Sequence, residues 1–188
     1  MKNYAEEITN RIREQYVKCV KNVEETSREY GEIYDKLRLS GNELLQSEYA
    51  YLNDRLTILD VQMKHLSITR NVWNKAREIC LDVLDKIEIE GNMDTWMEIV
   101  QRIGKERDDC FDGHRLINRE YCRIHSKIKS KEEEAKITHK EWYDLMQKYK
   151  KLDRMIDRMF YEFDTWDKAL VICIDVVETA LADGECDA

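Results

Sequence analysis

Cys110, His114, Cys122 and His125 carry ligand types suited to zinc. The first two stand four residues apart and the last two three apart, spacings that share a helix face. The pairs do not meet on a straight helix. The eight residues from His114 to Cys122 span about 12 Å, against zinc–ligand bonds of about 2.0–2.3 Å. One ion would need a sharp break near Gly113, so seam cysteines and interior histidines are the simpler expectation, with no metal and no cofactor. A di-iron site would use Glu-x-x-His on two helices. The residues three before His65, His114, His125 and His139 are instead Gln62, Phe111, Cys122 and Lys136. The sequence has no glycine-rich phosphate loop and no Gly-x-Ser-x-Gly elbow.

Carboxylates offer a second chemistry. The run Asp108-Asp109-Cys110-Phe111-Asp112 resembles the Asp-Asp-x-x-Asp motif of all-helical isoprenoid diphosphate synthases and terpene cyclases. The resemblance implies magnesium ions on Asp108, Asp109 and Asp112 holding a diphosphate. It covers five residues, and no second metal-binding motif accompanies it. Nearby, Arg70, Arg77, Arg107 and His114 occupy core-like heptad positions, and a buried arginine needs a charge partner. Folding the second and third helical stretches about Gly91 predicts Arg70 opposite Asp112 and Arg77 opposite Glu106. Ion pairs that set helix register are the main expectation. A ligand pocket would use Arg70, Arg77, Arg107, Asp109, Asp112 and His114.

Charge is unevenly laid out. The net value is −8, yet residues 1–39 balance at eight acids and eight bases, whereas residues 160–188 hold eight acids against Lys168. Glu162, Asp164, Asp167, Asp175 and Glu178 therefore form a candidate acidic contact surface. In the third helix Arg115, Arg119, Arg123 and Lys127 recur every fourth residue, and an antiparallel turn brings Lys148, Lys150, Lys151, Arg154 and Arg158 near them. This basic band suits a phosphate or an acidic protein. Direct nucleic-acid binding is disfavoured by the overall acidity.

The elements that position these residues are long helices. No proline occurs in 188 residues and only 6 glycines do, where an average chain is about 5% proline and 7% glycine. Apolar residues recur at heptad spacing through Ile12, Cys19, Val23, Tyr30 and Leu37, then through Leu45, Leu52, Leu59, Leu66, Trp73, Cys80 and Ile87. The third stretch runs through Trp96, Val100, Ile103, Ile117 and Ile128, the fourth through Leu145, Leu152, Met159, Trp166, Cys173 and Val177. Ser40-Gly41-Asn42-Glu43 and Glu90-Gly91-Asn92-Met93 punctuate the chain, and both Ser40 with Glu43 and Thr138 with Glu141 have capping-box spacing.

The predicted fold is all-α: an elongated antiparallel four-helix bundle or paired coiled-coil hairpins. A single domain over residues 1–181 is expected, with helices at roughly 3–39, 43–90, 93–132 and 138–181 and a flexible acidic tail at 182–188. Gly104 and Gly113 mark bends or close crossings. Cys19, Cys80, Cys110 and Cys173 fall on seams as reduced, buried thiols, which with the lack of an apolar leader or membrane span predicts a cytoplasmic location.

These features predict a noncatalytic helical protein that works through protein contacts, as an adaptor, assembly factor or inhibitor. Its partner is another protein or a second copy of the chain, with no membrane. Tyr4, Tyr34, Tyr51, Trp96 and Trp142 are the candidate exposed aromatics. Two alternatives use the carboxylates differently. One is an acidic nucleic-acid mimic that inhibits a nucleic-acid-binding enzyme. The other is a magnesium-dependent helical enzyme acting on a phosphate or diphosphate.

Overall fold

A computed structural model describes residues 3–40, 44–90, 96–133 and 137–182. The four apolar repeats become α1 (Tyr4–Ser40), α2 (Gln46–Glu90), α3 (Trp96–Glu133) and α4 (His139–Ala182). At 1.5 Å per residue, α2 and α4, with 45 and 44 residues, are each roughly 65 Å long.

Short polar residues start the helices where orphan backbone donors need acceptors. Asn3 Oδ1 accepts from the Glu6 amide at 3.2 Å. Thr138 and Glu141 form the predicted capping box: the Glu141 amide donates to Thr138 Oγ1 at 3.2 Å and the Thr138 amide donates to Glu141 Oε2 at 3.1 Å. The predicted Ser40–Glu43 box falls partly outside the described residues. Ser40 is the last residue of α1 and Glu43 lies outside the described residues, while the Leu45 amide donates to Glu48 Oε2 at 3.3 Å, one turn into α2. Gly91, the 93–95 start expected for the third helix, and residues 183–188 of the tail lie outside the described residues.

Each helix packs antiparallel against its sequence neighbour, α1 on α2 and α3 on α4, and the two hairpins join across α2–α4, α1–α4 and α2–α3. That joining is confined to one end. The core comprises Tyr4, Ala5, Ile8, Ile12 and Cys19 of α1, Val72 to Val83 of α2, Trp96, Ile99 and Ile103 of α3, and Trp166 to Ala180 of α4. Antiparallel hairpins bring those four segments to the same end, where they form a four-helix base. Beyond it the hairpins continue as arms of two helices each, every one roughly 30 Å long. Leu52 and Leu59 are buried in arm 1, and Ile124 and Ile128 in arm 2.

The two buried threonines of the base are satisfied locally. Thr9 Oγ1 donates to the Ala5 carbonyl and Thr165 Oγ1 to the Tyr161 carbonyl, both at 2.7 Å. Between α2 and α3 an ion-pair network links Asp82, Lys86, Glu98 and Arg102, with Lys86 Nζ 2.9 Å from Glu98 Oε1. The Arg102 guanidinium beside Asp82 and the Lys86 ammonium beside Glu98 hold both carboxyls below their usual range.

The expected close crossing is at Gly113. A Cβ there would meet Met159 Cε at 2.6 Å, whereas one on Gly104 would come no nearer than 3.9 Å to Leu170. Neither glycine interrupts α3.

Candidate functional site: the fork between two helical arms

The face that α2 buries in the base can be followed outward in steps of three or four residues: Val83, Ile79, Ala76 and Val72, then Thr69, His65, Val61, Ile58, Asp54 and Tyr51. In the base these side chains are covered. In arm 1 the same stripe emerges, with Val61 45% exposed, Ile58 49% and Tyr51 69%. On α4 the stripe runs Ala180, Val176, Cys173, Ala169, Trp166 and Glu162, then Arg158, Met155, Lys151 and Lys148. It too passes from buried to exposed, but turns basic as it does so. His65 and Tyr161 stack where the exposure begins, with ring centroids 3.8 Å apart. This is the outermost ring or polar contact described between the hairpins.

The two walls of the fork differ in charge. Residues 114–158, which span arm 2, carry thirteen lysines and arginines against eight carboxylates, a net of +5. Residues 21–65, which span arm 1, carry six against nine, a net of −3, leaving −10 for the rest of the chain. Among the described residues Lys148, Lys150, Lys151 and Arg154 make no ion pair, and all four are exposed.

Below the fork, Val72, Lys75, Glu106, Asp109, Met159 and Glu162 line a cleft of about 280 Å³ over Trp166. Lys75 Nζ lies 2.6 Å from Glu106 and 5.9 Å from the Trp166 ring centre. Arg158 holds Glu162 at 2.8 Å. Charge is compensated here, and the cleft presents no converging set of free carboxylates.

The residues predicted to share a pocket are dispersed. Arg77 lies over the Tyr16 ring of α1 at 4.8 Å, and the charge of Arg70 is felt by Cys19 of α1. Arg107 pairs with Asp108 at 3.0 Å and with Asp167 of α4 at 3.2 Å. Asp112 faces Arg115 of its own helix at 3.5 Å, Asp109 borders the cleft, and His114 is half-buried on α3. The expected pairing of Arg77 with Glu106 is thus corrected: Glu106 meets Lys75. The register was nearly right and the face was wrong, because the line holding Arg70 and Arg77 flanks the α1–α2 seam.

The acidic residues of α4 are interleaved with bases. Glu162 pairs with Arg158 and Asp164 with Lys168 on α4 itself, Asp167 with Arg107 of α3, and Asp175 lies 3.9 Å from Arg11 of α1. Glu178 is exposed. In the basic band of α3, Arg115 and Arg123 pair with Asp112 and Glu120, while Arg119 and Lys127 are exposed and make no described ion pair.

The zinc-type residues stay apart along an unbroken α3. Cys110 Sγ donates to the Met159 carbonyl at 3.7 Å, Cys122 is exposed and His125 lies beside Tyr149. Among the described residues no three His, Cys, Asp or Glu side chains converge to hold a metal ion. Cys19, Cys80, Cys110, Cys122 and Cys173 are free thiols. Burial pushes Cys80 and Cys173 up to about 12, where they are inert as nucleophiles at neutral pH.

Two expected contact aromatics are core residues. Tyr4 and Trp96 are buried against each other at 6.0 Å because both sit in first turns that close the base. Tyr34, Tyr51 and Trp142 are exposed, and Trp142 Nε1 donates to Glu132 at 2.9 Å. Among the described residues no helix is long and apolar enough to cross a membrane. Comparison with protein-family models, curated proteins and solved structures returns no match.

Proposed function

We propose that this chain is a noncatalytic, cytoplasmic helical protein that acts through protein–protein contacts, as an adaptor or assembly factor whose two arms are the contact elements. The observation that supports this reading is the emergence of both core-facing stripes into solvent above His65 and Tyr161, apolar on one wall and basic on the other. A helix surface patterned for burial but left uncovered is the physical signature of a docking face.

The acidic-mimic reading loses support because bases from α1 and α3 stand among the α4 carboxylates. The magnesium-enzyme reading loses support because Asp108 and Asp112 are engaged by separate arginines, Arg107 and Arg115.

The test is capture of partners from native cell extract by the tagged protein and by two arm variants. One variant replaces Tyr51, Ile58 and Val61 with serine, and the other reverses Lys148 and Lys151 to glutamate. A stoichiometric protein partner held by the wild type and lost by either variant is the expected result. A partner retained equally by all three proteins sinks the assignment of the arms.

A further inference from the structure

We infer that the partner of the fork is a second copy of this chain, met arms-first so that the acidic arm 1 of each copy lies beside the basic arm 2 of the other. The inference rests on the arms being contact elements and adds what they contact. Three observations carry it.

First, both walls keep the stepping of the base core, so they have the geometry of helices waiting for more helices. Second, their chemistries complement each other. Arm 1 presents Tyr51, Ile58 and Val61 with Asp54 on the same stripe and Glu25 beside Gln62 and His65 at its foot, while arm 2 presents Met155 on a stripe with Lys148, Lys151 and Arg158. Glu25 and Asp54 are exposed and make no described ion pair, and the same holds for Lys148 and Lys151.

Third, the charge layout disfavours the simplest competitor. A nucleic-acid backbone drawn to arm 2 at +5 would be repelled by arm 1 at −3 and by the −10 of the remaining chain. A second copy brings charge of both signs. A two-fold axis across the forks sets two antiparallel chains face to face, puts arm 1 next to the partner's arm 2 twice over, and turns all four stripes toward a common centre.

The experiment is sedimentation equilibrium of the full chain over a wide concentration range, in low salt and in 1 M salt, where the screening length falls to about 3 Å. The expected species at low salt has twice the 22.6 kDa chain mass, and raised salt weakens it. Lys148→Glu with Lys151→Glu, and separately Glu25→Lys with Asp54→Lys, should each weaken self-association at least about tenfold. Circular dichroism should show unchanged helix content, since none of the four side chains holds the fold together.

Mixing the two variants restores a dimer, because the reversed arm 2 of one then meets the reversed arm 1 of the other. A wild-type chain that stays monomeric at every concentration overturns the inference, as does a dimer indifferent to both double substitutions. A monomer that still captures another protein through its arms overturns only the inference, while a monomer that captures nothing removes the proposed function as well.

Discussion

His65 of α2 stacks on Tyr161 of α4 with ring centroids 3.8 Å apart and planes 24° from parallel. Above this pair the two hairpins present separate surfaces, and below it they share one core. An aromatic lock at a fork confines the opening to the arms, because parting them further would expose Val72 and Trp166, which the base buries.

Removing the stack should therefore spread the arms without unfolding the base. His65→Ala and Tyr161→Ala, taken through a double-mutant cycle, are expected to show a coupling of about 0.5–1.5 kcal/mol. Hydrogen exchange should quicken in α2 just above residue 65 and in α4 just before residue 161, with Ile8, Ile99 and Ile103 still protected. Equal loss of protection throughout the chain would mean that base and arms unfold as one unit.

Gly31 and Gly113 should respond differently to the same substitution. Both are inside helices, where alanine is favoured by about 0.8–1.0 kcal/mol. A Cβ on Gly31 meets nothing within 4 Å, so Gly31→Ala should gain nearly that whole amount in chemical denaturation. On Gly113 the new methyl would meet Met159 Cε at 2.6 Å, so part of the gain is spent on moving Met159. Pairing Gly113→Ala with Met159→Ala should recover the propensity gain but forfeit the packing of Met159. A Gly113→Ala protein as stable as Gly31→Ala would show that the α3–α4 crossing is looser than this geometry.

The helices, their pairing and one cap were legible because they depend on local periodicity and short-range hydrogen bonds. The split into base and arms was not, because the apolar stripe is as wide in arm 1 as in the base. In the base, neighbouring residues are apolar together, as in Val72-Trp73, Ile79-Cys80, Ala169-Leu170 and Val176-Val177, because a helix there faces two others. In arm 1 the doubling persists, as Tyr51-Leu52 and Ile58-Leu59, although there one residue of each pair is exposed. What the spacing could not give was the direction of Arg70 and Arg77. A heptad places a residue on a line but does not say which neighbour that line meets. Tyr4 and Trp96 were misread for a related reason: helix ends are exposed in an average helix but here form the floor of the core.

Arg77 offers a test of buried charge. Its guanidinium lies over Tyr16 at 4.8 Å and donates to Asn74 Oδ1 at 3.0 Å, but its Nε is buried without an acceptor. An unmet buried donor costs stability, while the stem and the ring stacking contribute packing. Arg77→Met keeps the packing and removes the orphan, so it should be neutral or stabilising by up to about 1 kcal/mol. Arg77→Ala removes both and should cost about 1–2 kcal/mol. Thermal denaturation of the two variants decides it, and equal losses would mean that the charge itself supports the seam.

Glu141 fixes the acid response of arm 2. The Thr138 amide and hydroxyl, together with Lys131 at 3.1 Å, hold its carboxyl down at about 2, against an ordinary value of 4.5. A carboxylate whose folded value is depressed binds fewer protons folded than unfolded between those two values. Its contribution is therefore complete above about pH 4.5 and is lost as pH falls toward about 2. Because this pairing sits at the start of α4, fraying there should appear before the base is affected. Glu141→Gln can still reach the Thr138 amide but does not titrate. In the variant, exchange protection of the first turn of α4 should be lower at neutral pH and flat through that window, whereas in the wild type it declines with acid. A wild-type profile as flat as the variant's would show that the Thr138–Glu141 cap does not hold the charge in solution.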